Sequence, residues 1–118
     1  MGNRANIVVK EDEKDSGVYF YTHWGGYNLP IILQDALKRK ERWYDHSYLA
    51  RIIFCEMVKD EIDGETGYGI STCLTDNENP IITVQVDIQN VSFNGYDLQF
   101  KDYIKLTESE IRECYDRD

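Results

Sequence analysis

The sequence predicts an α+β fold: a single domain over residues 1–118, in ββ-αα-βββ order, with a mostly antiparallel sheet and two helices packed on one face. Three observations carry this. Apolar residues alternate with period two in the first and last thirds of the chain. Between them the period lengthens to that of a helix over about residues 29–60. The strand-like segments are grouped together instead of being interleaved with helices.

Taken in order, residues 5–10 (ANIVVK) place Ala5, Ile7 and Val9 on one face of a strand. The acidic turn EDEKDSG at 11–17 closes on a glycine. Residues 18–22 (VYFYT) are β-branched and aromatic, hence a second strand pairing with the first as a hairpin. Leu29, Ile32, Leu33, Ala36 and Leu37 then fall on one helical face, with Asn28 as N-cap and Pro30 in the first turn. Lys38, Arg39 and Lys40 complement the carbonyl dipoles at the helix end. Asp45 or Ser47 caps a second helix running to about residue 60. Its face is Leu49, Ile52, Ile53 and Met57, and Phe54 and Val58 widen the apolar stripe. That width predicts a well-buried helix, packed on both the sheet and the first helix, with Cys55 in the core.

EIDGETGYG at 61–69 reads as a loop, GISTCL at 69–74 as a strand and TDNENP as turn chemistry. Residues 81–88 alternate, with Ile82, Val84, Val86 and Ile88 on one face. Gln89 and Asn90 turn the chain, residues 91–93 return, and Asn94-Gly95 turns it again. YDLQFKDYI fits either a last strand or a short helix at 96–104. Thr107 with Glu110 matches a capping box, which predicts a helical tail at about 107–116.

Composition narrows function by exclusion. Of 118 residues, 42% are hydrophobic and 13% aromatic, with nine tyrosines, so the chain can bury a core and still present contact aromatics. The net charge of −9 argues against direct nucleic-acid binding and against an anionic membrane surface. No apolar run is long enough to span a membrane, and the first residues lack the apolar stretch of a signal peptide. Met1-Gly2 opens like a myristoylation signal, but Asn6 stands where Ser or Thr is wanted. Cys55, Cys73 and Cys114 are odd in number and widely spaced, which fits free thiols in a reducing cytoplasm.

The candidate ligand site is VYFYTHWGGYNLP at 18–30, where a strand passes through Gly25-Gly26 into a helix. Helix N-termini present unpaired N–H groups and attract anions. Gly25 and Gly26 permit close approach to the backbone, Trp24 and Tyr27 offer stacking faces, and His23 a donor of tunable charge. Arg42 and Trp43, between the helices, extend the site with a bidentate phosphate donor and a second indole, and Arg51 in the second helix is a further arginine able to meet a phosphate. The competing reading is structural: Gly-Gly turns the chain, Trp24 fills the core edge, Asp45 caps a helix and Trp43 seals the corner. GETGYG at 64–69 is only superficially a phosphate loop, since it precedes a strand and has no lysine. No nucleophile–base constellation and no zinc spacing is present, so the expected catalytic, metal and cofactor assignments are none.

The segments MGNRANIVV, VYFYTHWGGYNLP, RWYDHSYLARIIF and GYGIS resemble an uncharacterised family of small bacteriophage and prophage accessory proteins that share an MGxRA start and a YTHWGG segment. The likeness spans roughly residues 1–104. It implies a bacterial host cytoplasm and a role against antiviral defence. In that setting the Gly-Gly helix start with His23, Trp24 and the tyrosines favours non-enzymatic sequestration of a nucleotide-like signal, a role that predicts a homo-oligomer. Two alternatives stand beside it: an acidic inhibitor that blocks a host defence protein, and a small enzyme acting on a nucleotide.

Overall fold

A computed structural model describes residues 3–116; Met1 and Gly2 of the MGxRA start lie outside the described residues. The hairpin forms as its alternation dictates, from β1 (Ala5–Lys10) and β2 (Val18–Thr22), antiparallel with Ile7 opposite Phe20. Helices α1 (Leu29–Lys38) and α2 (His46–Val58) follow. Then come β3 (Tyr68–Ser71), β4 (Ile82–Gln85), β5 (Asn90–Phe93) and β6 (Tyr96–Gln99). Two short helices follow the last strand, α3 (Phe100–Tyr103) and α4 (Glu108–Tyr115). These strands make one sheet in the order β3-β2-β1-β4-β5-β6. The β1–β4 pair is parallel, with Ile7 opposite Ile82, and the long connection that a parallel pair requires is supplied by β2, α1, α2 and β3; the other pairs are antiparallel. The fold is therefore the predicted α+β, with a mixed, mostly antiparallel sheet.

Ala5, Ile7, Val9, Phe20, Ile82, Val84, Val91 and Phe93 point to the helical side and share the core with Leu33, Leu37, Leu49 and Ile53. Tyr103 and Tyr115 from the C-terminal helices close it, each edge-on to Phe93. Gln34 is buried in α1, and its amide donates to the carbonyls of Tyr103 and Leu106, which ties α1 to the chain after α3. On the opposite side of β1, Asn6 is also fully buried. Its amide donates to Asp76 O and Asn77 Oδ1, so the 72–81 loop crosses the sheet there.

Several local expectations are corrected. β4 stops at Gln85: Gln89 adopts φ 48°, and Ile88 is 52% exposed in the turn instead of facing the core. β3 starts at Tyr68 and ends at Ser71, short of the expected 69–74. YDLQFKDYI is both expected forms in succession, a strand to Gln99 and a helical turn from Phe100. Cys55 is exposed on the outer side of α2, since only Leu49, Ala50, Ile53 and Met57 of that helix are buried. Asp45 is the α2 cap, accepting from the N–H groups of Ser47 and Tyr48, and the Thr107–Glu110 capping box forms in full.

Candidate functional site

The residues named in the sequence divide between two corners of the molecule. His23, Trp24, Gly25, Gly26 and Tyr27 occupy the β2–α1 junction; Arg42 and Trp43 occupy the turn between α1 and α2.

At the β2–α1 junction the N–H groups of Gly25, Gly26, Asn28 and Leu29 are already used. Gly25 N–H donates to Thr22 Oγ1 (2.9 Å) and Gly26 N–H to Asn3 O (2.9 Å). Asn28 N–H donates to Gly25 O and Leu29 N–H to Gly26 O, because a 3-10 turn over Gly26–Asn28 runs straight into α1. Asn28 is itself helical and does not cap. Its Oδ1 accepts from Arg112 Nη2 (2.9 Å), while Arg112 Nη1 donates to Tyr27 O and the guanidinium lies 3.9 Å from the Tyr27 ring centre. A Cβ on Gly26 would stand 2.5 Å from Asn3 O and 2.6 Å from Asn79 Nδ2, so this glycine admits neighbouring backbone. His23 Nδ1 is bonded to Tyr21 Oη (3.0 Å), and its ring meets Trp24 edge-on at 4.6 Å. Trp24 is 59% exposed and lies over Gly67 instead of filling the core edge. The shallow concavity beside it, about 360 Å³, is lined by Asp60, Glu61 and Asp63, and the cation among its lining residues, Lys59, is held by Glu56 at 3.1 Å. The negative charges of these carboxylates oppose an incoming phosphate.

The α1–α2 corner has the opposite character. Trp43 seals it: its indole N–H donates to Leu37 O (3.0 Å) and its ring meets Phe100 edge-on. Lys40 and Arg42 both adopt φ 56°, a left-handed conformation that non-glycine residues take at a cost of roughly 1–2 kcal/mol each. With Trp43 anchored and Asp45 capping α2, Arg42 is turned outward, its guanidinium 4.7 Å from the Tyr48 ring centre. Arg39, Lys40, Arg42 and Arg51 line a concavity of about 640 Å³, and Tyr44 and Tyr48 stand in its wall. Tyr44 is 76% exposed and Tyr48 51%. Arg39 pairs with Glu41 at 2.8 Å, whereas Lys40, Arg42 and Arg51 have no carboxylate within ion-pair distance among the described residues.

Arg51, which the sequence places beside Arg42 as a second phosphate-capable arginine, does reach this concavity, and Lys40, Tyr44 and Tyr48 join the two in a grouping not expected from the sequence. A signal for it exists: residues 38–51 hold five of the chain's thirteen cations and only two of its twenty-two carboxylates. Among the described residues, no group of three or more His, Cys, Asp or Glu is placed to hold a metal ion, and no helix is long and apolar enough to cross a membrane. Comparisons with family models, curated proteins and solved structures return no match for this chain.

Proposed function

We propose that the protein is a non-enzymatic binder that counters a bacterial antiviral defence by sequestering a nucleotide-like signal, and that the α1–α2 corner holds it. The observation that carries this reading is the cation-lined concavity on a chain of net charge −9. Arg42 and Arg51 supply forked donors suited to phosphate oxygens, and Lys40 adds a mobile point charge. Tyr44 and Tyr48 offer flat faces on which a base can stack. The viral setting rests on the resemblance of the YTHWGG and neighbouring segments to phage and prophage accessory proteins.

Isothermal titration against cyclic nucleotides and ADP-ribose derivatives tests the reading. Binding of at least one phosphate-bearing member, weakened about tenfold by Arg42→Ala or by Arg51→Ala, is expected from the loss of one charge-assisted contact. Absence of heat with every member, for folded protein, counts against it. Stoichiometric capture of a host defence protein instead, with binding that falls steeply with salt, moves the function to the acidic inhibitor.

A further inference from the structure

The apolar stripe of α2 is wider than its neighbours cover. Leu49, Ile53 and Met57 are buried, but Phe54 and Val58 remain partly open and, with Ile62 and Ile70, line a groove of about 580 Å³ along the β3 edge of the sheet. Ile62 is 76% and Ile70 59% exposed.

The backbone beside this groove is unpaired on its outer side among the described residues. His23 N–H donates to Gly67 O (2.8 Å), and the β2–β3 register sets Tyr21 opposite Gly69 and Tyr19 opposite Ser71. Antiparallel ladders alternate bonded and non-bonded pairs, so Gly67, Gly69 and Ser71 bond inward to β2, and the N–H and C=O groups of Tyr68 and Ile70 point outward. The strand YGIS has no charge and no proline, the usual protections of an open edge. The other edge, β6, carries Asp97 at its centre.

The groove also has a polarity. Glu11, which follows β1, lies 4.0 Å from His46, so α2 begins at the Val18–Ser71 end of the hairpin and Arg51 lies toward that end. Glu61 lies at the other end, its carboxylate 3.9 Å from where a Cβ on Gly67 would be. Two copies related by a two-fold axis reverse this order and bring each Arg51 end against a Glu61 end, as an isologous interface requires.

We propose that the β3 edge and its groove receive β3 of a second copy, antiparallel, with the two-fold axis at Gly69. Tyr68 of each copy then bonds to Ile70 of the other, the two sheets continue as one, and the four isoleucines at positions 62 and 70 cover each other. Gly69 faces its own copy across a non-bonded pair, and nothing lies within 4 Å of the position a Cβ would take there.

Sedimentation velocity from micromolar to near-millimolar concentration tests this. A concentration-dependent dimer is expected, and Ile70→Lys should weaken it at least tenfold; circular dichroism confirms that this exposed substitution leaves the fold intact. Gly69→Cys, in a Cys55→Ser, Cys73→Ser background, should form an inter-copy disulfide on mild oxidation, because the non-bonded antiparallel pair has the right spacing. Arg51→Glu should weaken the dimer, and Arg51→Glu with Glu61→Arg should restore it. A monomer at every concentration overturns the proposal. So does a dimer that is indifferent to Ile70→Lys and forms no cross-link in the Gly69→Cys variant, or a monomer whose groove instead takes an extended peptide of another protein.

Discussion

The β2–α1 junction and the α1–α2 corner both join secondary-structure elements, and both carry aromatics beside polar groups. They differ in what is left over. At the junction, Thr22 and Asn3 occupy the N–H groups of Gly25 and Gly26, Arg112 occupies the Tyr27 carbonyl, and carboxylates line the neighbouring concavity. At the corner, Trp43 and Asp45 meet the structural needs of the turn, and Lys40, Arg42 and Arg51 remain without ion-pair partners among the described residues. A glycine pair at a helix start is thus weaker grounds for a site than a group of cations that no carboxylate of their own chain neutralises.

The junction should respond to perturbation through stability. The largest effect is expected at alkaline pH. Tyr103 lies behind the first turn of α1, donating to Pro30 O at 2.7 Å, and burial pushes its phenol far above the usual range; Tyr115 is raised for the same reason. The folded state holds these protons more tightly than the unfolded chain, so the two tyrosines' contribution to stability should be level below about pH 10 and fall steeply above it. Denaturant titrations at several pH values measure this, and a flat profile to pH 11 and beyond, on the order of one unit past the tyrosine reference value, contradicts it.

Gly26→Ala comes next. The added methyl meets backbone at Asn3 and should cost about 2–3 kcal/mol by urea unfolding. Arg112→Ala removes two hydrogen bonds and the stacking on Tyr27, and should cost about 1–2 kcal/mol. At the corner, Asp45→Ala should cost about 1 kcal/mol through the lost α2 cap. Arg51→Ala should change stability by no more than about 0.5 kcal/mol, since the side chain is exposed and has no ion-pair partner among the described residues. A large stability loss at Arg51 would give that arginine a structural role and erase the contrast between the two corners.

The elements legible in the sequence are those specified locally. β1, β2, α1 and α2 follow from periodicity, and α4 from its capping box. The early end of β4 was hidden because Val86, with its N–H on Lys10 O, continues the alternation before the chain turns at Gln89. YDLQFKDYI resisted a single period because Leu98 packs on the core from strand β6 while Phe100 and Tyr103 do so from a helix. At the site, the residue types were legible and their satisfaction was not. Whether Gly26 and Asn28 offer free groups depends on Asn3, Asn79 and Arg112, and Asn79 and Arg112 lie far along the chain. The cation excess at 38–51 was visible, but dipole complementation explained it too easily.

The most direct test of the corner as the binding site is titration of one phosphate-bearing nucleotide ligand into three proteins: the unaltered chain, Arg42→Ala/Arg51→Ala, and Trp24→Ala. The account predicts binding to the first, a loss of about a hundredfold or more in the second, and unchanged affinity in the third. Binding that survives the double arginine change and disappears with Trp24→Ala would contradict it.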